Sequence, residues 1–324
     1  MWACCERAGR RPLRDGFVWS GSVRCCAALL GVWIALMPVV AHTSSDSSAT
    51  LSCLSFNLLH GGVSSGLWGS GQDLERRLEL VTARLRSLEP DIIGLQEASE
   101  SRGRGNIAQR LATQLGYEYV FSPASSRLFS RPWANRVVAT LMNFAEGPAI
   151  LSRYPILNWQ VYDLPRCGSW TDPRVLLCAE VQTPWGALQA CSTHISPKAC
   201  QASGVAELLQ VRPRSSPLIL MGDFNTTPQS EGFAQLTGQT GLIDTFRLAN
   251  PGDTGPTVWQ WVYAERPTAR WRVDYVFVRP GDRYRVRSSR LVLNTPQRLA
   301  NGQSLWPSDH YGVLTEFDVL AVPP

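Results

Sequence analysis

Lysine is almost missing from this chain: Lys198 is the only one, and arginine supplies the rest of the 31 basic residues. That imbalance reads as a coding-composition bias rather than a functional signal. Net charge is low, +5 over 324 residues, and part of the surplus lies in the first 42 residues with Arg7, Arg10, Arg11, Arg14 and Arg24. The remainder is close to neutral, which excludes a strongly basic, histone-like nucleic-acid binder and leaves room only for a local basic groove. No apolar run reaches the ~20 residues of a spanning helix. Beyond residue 41 there is no C-x-x-C pair, which argues against a thiolate zinc site. There is also no H-E-x-x-H, no P-loop and no G-x-S-x-G, which argues against zinc proteases, NTPases and serine hydrolases. No fixed-period repeat and no low-complexity tract occurs.

What is present is globular in composition, 44% hydrophobic and 18% charged, with enough Gly and Pro for a loop-rich fold. A basic stretch, the apolar run Cys25–Val40 and the small-residue ending Val39-Val40-Ala41 predict a secretory signal peptide over 1–41, with an uncleaved N-terminal anchor as the alternative. The chain would then be exported, to the periplasm or the exterior, or stay membrane-associated through that segment. Residues 42–50, rich in Ser and Thr, read as a linker, and 51–320 as the folded domain. In an oxidising compartment one or two disulfides are expected. Cys167 and Cys200 are the first pair to test, Cys53 reads as a buried free thiol, and Cys178 and Cys191 stay open.

Leu51–Asn57 alternates as a strand does. Asp73 reads as the cap of a helix carrying Leu74, Leu78, Val81, Leu85 and Leu88, ended by Pro90. Asp91–Gln96 is a short buried strand, and Ile107, Leu111 and Leu115 mark a second helix stopped at Gly116. Tyr117–Phe121, Ala149–Ser152, Arg174–Thr183 and Ala187–Thr193 read as strands, the last two joined by a hairpin at Thr183–Gly186. A helix around Val205–Leu209 follows, then strands Pro217–Met221, Thr257–Val262, Arg272–Val278, Arg283–Leu293 and Val313–Val319. Intermingled strands, hairpins and helices predict a mixed α/β sandwich rather than a doubly wound parallel sheet.

Polar residues stand where the buried strands end: Asn57, Glu97, His194, Asp223 with Asn225, Asp274, and Asp309 with His310. A carboxylate left unpaired in a core costs several kcal/mol, so a set of them at strand ends points to a site. Hard divalent ions take carboxylate and amide oxygens, which nominates Glu97, Asn57 and Asp309 for a metal. Asp223 and Asn225 share one side of an extended segment and could handle an attacking water. Asp274 beside His310 would fix the tautomer of the ring and stabilise its cation. His194 is left to contact a phosphate or assist a leaving group.

In this order the segments LSFNLLHG, IIGLQEA, GPAILSRYPI, STHIS, LMGDFNTTP, RVDYVFV and PSDHYGVLTEF resemble the endonuclease/exonuclease/phosphatase superfamily over about residues 50–320. The resemblance implies a four-layer sandwich, two packed mixed β-sheets flanked by helices, with a site at one end. It implies hydrolysis of a phosphodiester or phosphomonoester with Mg²⁺, Mn²⁺ being the alternative. By the same resemblance Glu97 and Asn57 hold the metal, Asp223 and Asn225 handle water, and Asp274 supports His310; the base is either Asp223 or His310. Arg174 and His60 are the candidates for contacting the substrate phosphate, an ordinary surface arginine and a loop histidine being the alternatives.

The substrate is nucleic acid, DNA or RNA, or a phospholipid headgroup, and no protein partner is implied. Trp259, Trp261, Tyr263 and Trp271 are expected to pack against neighbouring helices, with a lipid- or base-facing edge as the alternative. A different class of function, an inert binding module that keeps the fold, would ordinarily have lost metal or water residues, all of which stand here.

Overall fold

Strand β1 (Thr50–Asn57) lies inside a seven-stranded sheet, antiparallel to β15 (Gly312–Val319) and parallel to β2 (Ile92–Ser101). Beyond β15 the sheet ends in β12 (Tyr284–Val292); beyond β2 it continues through β5 (Ala145–Ser152) to β4 (Glu118–Phe121), with β3 (Gly105–Asn106) hairpinned onto β2. A second, six-stranded sheet runs β10 (Ile243–Asp244), β11 (Asp274–Val278), β9 (Leu218–Asp223), β8 (Gly186–His194), β7 (Val175–Thr183) and β6 (Ile156–Asp163). Two short strands, β13 (Gln297–Arg298) and β14 (Ser304–Leu305), pair separately. This computed structural model describes residues 49–60, 71–124, 143–168, 173–212, 217–281 and 283–320, together with 131, 133, 134 and 137. The expected signal segment 1–41 and nearly all of the 42–50 linker lie outside the described residues. Among the described residues no helix is long and apolar enough to cross a membrane.

The sheets pack face to face. Leu51, Cys53, Ile150, Val313 and Phe317 from the first interleave with Leu177, Ala190, Ile219, Met221 and Val276 from the second. Each such fully buried aliphatic or aromatic side chain contributes ~1.5–3 kcal/mol. The approach is close enough to require a glycine: a Cβ on Gly94 of β2 would stand 2.7 Å from the Met221 Cβ of β9. The outer faces are covered by helices. Helices α1 (Leu74–Leu88) and α2 (Ile107–Leu115) bury Leu78, Val81, Leu85, Ile107 and Leu111 on the first sheet. On the second sheet α3 (Ala199–Gln210) and α4 (Glu231–Thr240) bury Val205, Leu209 and Leu236. A short helix, α5 (Thr245–Ala249), follows β10. The result is the helix–sheet–sheet–helix sandwich expected from the sequence.

Cys167 is bridged to Cys200, Cys178 to Cys191 across the β7–β8 ladder, and Cys53 is a buried free thiol. Cys200 stands in the first turn of α3.

Several local expectations are corrected. Asp73 adopts a left-handed backbone and makes no side-chain cap bond; its Oδ2 instead accepts from the Tyr263 hydroxyl at 3.1 Å. Thr257–Val262 is not a strand: only Val258 bridges, to Trp271 and His310. The aromatic residues of that stretch do not pack under helices but face outward, with Trp259 62% and Trp261 75% exposed.

Candidate active site

The nominated strand-end carboxylates and imidazoles are joined in one network at one end of the sandwich, Asp309 at its margin. Asp223, the last residue of β9, is the hub, 1% exposed. Its register neighbours are His194 at the end of β8 and Asp274 at the start of β11. From the other sheet the Asn57 Nδ2 reaches across to donate to Asp223 Oδ2 at 3.0 Å and to Glu97 Oε1 at 3.2 Å.

Glu97 is aimed by backbone geometry. Strict alternation along β2 would send it to the helix-covered face with Leu95. A bulge between Leu95 and Ala98, with Glu97 itself at φ 53°, turns its side chain to the end of the sheet instead. There its Oε2 accepts from the His60 backbone N–H at 3.2 Å and lies 3.3 Å from His60 Nε2. Asn225 also uses a left-handed backbone, φ 49°, which asparagine tolerates. Its N–H donates to Asp223 Oδ1 at 2.9 Å, and its Nδ2 donates to the Ile195 carbonyl at 2.9 Å and contacts His194 Nε2 at 3.1 Å. His194 Nε2 thus faces both the Asn225 amide and, at 3.5 Å, Asp223 Oδ2, while its buried Nδ1 has no hydrogen-bond partner among the described residues.

His310 precedes β15. Its Nδ1 lies 2.8 Å from Asp274 Oδ2, and its Nε2 lies 3.7 Å from Asp223 Oδ2 and 3.9 Å from Asp309 Oδ1. Asp309 therefore sits at the margin of the network, held by the Ser308 hydroxyl at 3.3 Å. Arg174, just before β7, makes itself felt through its charge on His194.

The electrostatics separate these groups. Burial and the neighbouring Asp274 push the Asp223 carboxyl up to about 7. Burial opposes a charge on His310, but Asp274 and Asp223 outweigh it and hold the ring cationic well above its ordinary range. Burial and the Arg174 charge pull His194 down to about 3, so it is neutral at physiological pH. Glu97 goes the other way: burial would raise it, but the surrounding histidines and the Asn57 amide bring it to about 2. Asp309 is raised, chiefly by burial.

Two clusters offer themselves to a divalent ion. Ligand atoms of Asp223, Asp274 and His310 lie within 4.8 Å of one another. Asp274 already engages the His310 Nδ1, which leaves only Nε2 of that ring to face an ion. The Glu97 carboxylate, with the Asn57 side chain and Asp309 beside it, is the second candidate, oxygen donors of the kind Mg²⁺ takes, although in this structure the Asn57 amide nitrogen rather than its oxygen faces Glu97. The Asn57 Oδ1 accepts only from the Leu59 N–H, at 3.0 Å, among the described residues.

One residue of the site escaped the sequence reading. Arg77 is buried, 1% exposed, on the inner face of α1. It donates to four carbonyls: Leu58 at 2.8 Å, Leu59 at 2.6 Å, Gln72 at 2.8 Å and Pro307 at 3.1 Å. It thereby ties the segment after Asn57 to the segment before Asp309. The signal was available: Arg77 falls between Leu74 and Val81 on the apolar stripe of the helix, where a charge needs a reason. Arg77→Met is expected to destabilise the fold by about 3 kcal/mol or more, since several buried carbonyls lose their donor. Urea unfolding checks this; a loss below about 0.5 kcal/mol, the ordinary surface value, would show the bonds to be dispensable.

The sequence matches the Endonuclease/Exonuclease/phosphatase family over residues 54–310. Among individual proteins it is 24% identical to nocturnin of Drosophila melanogaster over 291 residues, 77% of this chain and 42% of that protein. To nocturnin of Homo sapiens it is 24% identical over 263 residues, 75% of this chain and 58% of that protein. The chain thus spans only about half the length of these relatives. In three dimensions it resembles the human nocturnin catalytic domain with bound sulfate, at TM-score 0.60 and 21% identity over 84% of this chain and 94% of that one. It also resembles the Bacteroides thetaiotaomicron mannosyl-6-phosphatase, at TM-score 0.62 and 18% identity over 84% and 100%. With the match running from residue 54 to residue 310 and so spanning every nominated site residue from Asn57 to His310, the chain belongs to the endonuclease/exonuclease/phosphatase family.

Proposed function

We propose that this chain is an exported, Mg²⁺-dependent phosphoesterase that cleaves a phosphodiester or phosphomonoester by attack of water. The carrying observation is Asp223: a carboxyl buried at the meeting of the two sheets, raised to about 7, between the Asp274–His310 pair and the Asn57–Glu97 pair. A general base is most effective when its pKa lies near the working pH.

In this reading Asp223 takes the proton from the attacking water, and the Asn225 backbone N–H, bonded to Asp223 Oδ1, keeps that carboxylate turned to its task. His310, cationic between two carboxylates, stabilises negative charge growing on the phosphate. Asp274 fixes the ring by accepting from Nδ1. His194 is neutral and orients the Asn225 amide rather than delivering a proton to the leaving group. Glu97 and Asn57, with Asp309, would hold the ion, which when bound supplies a Lewis acid for a phosphoryl oxygen. In this reading Arg174 and His60 meet the outer phosphate oxygens. The structures similar to this one include a phosphatase and a domain that binds sulfate, which agrees with a tetrahedral anion as the bound group.

The test is a panel of DNA, RNA, sphingomyelin, phosphoinositides and a sugar phosphate, each with Mg²⁺ and with chelator. Hydrolysis of at least one that stops with chelator is expected; no turnover of any would refute the assignment. Export is tested separately. Material recovered outside the cytoplasm should begin near His42, and N-terminal sequencing that finds 1–41 retained in a membrane fraction would replace cleavage by anchoring.

A further inference from the structure

The loop between α5 and β11 carries the largest exposed aromatic surface among the described residues. Trp259 is 62% exposed, Trp261 75%, Trp271 51% and Tyr263 39%. Single exposed apolar side chains are ordinary, but a cluster of them marks an interaction surface. These are held out from a rigid base. Gln260, 1% exposed, accepts from the Thr268 N–H at 2.8 Å and donates to the Trp261 carbonyl at 3.0 Å. The Thr268 hydroxyl accepts from the Trp261 N–H at 2.8 Å and donates to the Trp259 carbonyl at 2.9 Å. The Trp306 indole pins the Ala264 carbonyl at 2.7 Å. Trp259 is even kept at φ 67°, a backbone that a bulky residue adopts only under constraint.

Charge on the loop has one sign left over. Glu265 is paired with Arg298 at 2.6 Å, and Arg272 is buried on Asp244 at 2.6 Å. Arg266 and Arg270 stand exposed beside the tryptophans, with no acidic partner among the described residues. Between this loop and Leu59 and Gln72 opens a cleft of about 690 Å³, lined by Trp259, Trp261, Val262 and Tyr263 and reaching Asp309. Among the described residues no arginine or lysine lines it, whereas a groove for single-stranded nucleic acid combines stacking aromatics with cations along its length.

We infer that loop 257–271 docks the protein on an anionic phospholipid surface, its tryptophans entering the interfacial layer and Arg266 and Arg270 meeting the headgroups, so that the cleft opens onto lipid next to the site. Indole rings favour the membrane–water boundary, and each arginine near an anionic surface adds attraction that salt screens. The inference narrows the proposed phosphoesterase to a lipid-borne substrate and rests on that reading only for the chemistry. Docking is read without turnover, so either can fail alone.

Every named strand and helix lies between Thr50 and Val319, and the compact unit begins at Ser47. A chain starting at His42 therefore keeps the whole described fold and removes the apolar N-terminal segment as a second membrane contact. Sedimentation with vesicles of phosphatidylcholine, with and without phosphatidylserine, is the assay. Binding to the serine-lipid vesicles is expected, weakening as salt rises. Trp259→Ser with Trp261→Ser should lower it by at least about tenfold, and phenylalanine at both positions should restore most of it. Arg266→Gln with Arg270→Gln should lower it about thirtyfold on serine-lipid vesicles and little on phosphatidylcholine alone. Near-UV circular dichroism unchanged from wild type shows that the variants fold. Equal sedimentation of wild type and the folded tryptophan variant would overturn the inference. So would loss, in that variant, of binding to a single-stranded oligonucleotide while vesicle binding persists.

Discussion

Asp223→Asn is expected to lower kcat/KM by about 10²–10⁴-fold, the range for removing a general base. The substitution keeps the size of the side chain and its place between Asn57, Asn225 and His310, so the loss falls on proton transfer. The same assignment fixes the sign of the pH dependence. A base works only when deprotonated, and Asp223 is raised to about 7. Activity should therefore fall as pH drops through about 7 and level off above it. Asp274→Asn and His310→Ala, by contrast, strike one function, because Asp274 acts by holding the ring at 2.8 Å. Groups that act as a unit are strongly non-additive, so the double variant should be little worse than His310→Ala alone. The Asp223→Asn deficit should add largely on top of the Asp274→Asn deficit. Full additivity of Asp274→Asn with His310→Ala in a kcat/KM cycle would show that the two do not form a pair.

Glu97→Gln should lower Mg²⁺-supported turnover by about 10³-fold while the fold survives. Metal charge stabilisation is worth several kcal/mol, and each ~1.4 kcal/mol is a factor of ten. The amide is isosteric and can still accept from the His60 N–H, so the lost property is the ionised carboxylate, which the site holds at about 2. Thermal unfolding near that of wild type would separate lost chemistry from lost structure. Unchanged turnover in this variant would remove Glu97 from the metal.

The residues of the site were legible because buried strands that run directly into Asn57, Glu97, His194 and Asp223, or open on Asp274, cannot hide a polar group without a partner. The pair read from the sequence, Asp274 with His310, stands at 2.8 Å, whereas the register that sets Asp223 beside Asp274 depends on strand order and was not legible. What escaped depends on backbone detours and tertiary context. The bulge that aims Glu97 leaves no mark in IIGLQEA. Strand β6, ILNWQVYD, lies at the edge of its sheet with much of its length exposed, so its alternation is blurred. Helix α4, with Gly232, Gly238 and two threonines, has poor propensity; it is held by the Ser230 cap at 3.3 Å to the Phe233 N–H and by Leu236 against the second sheet. The tryptophans of loop 257–271 alternate with small and polar residues as in a strand, but hydrogen bonds through Gln260 and Thr268 fold the segment into a loop that points them outward.

The proposed division of labour gives the ion to Glu97 and Asn57, and protons to the triad Asp223, Asp274 and His310. Mn²⁺ titrated into the protein and read by electron paramagnetic resonance tests it without any substrate. Wild type and His310→Ala should both immobilise the ion, and Glu97→Gln should bind it far more weakly. Wild-type binding by Glu97→Gln together with its loss in His310→Ala would place the ion in the triad and contradict the division.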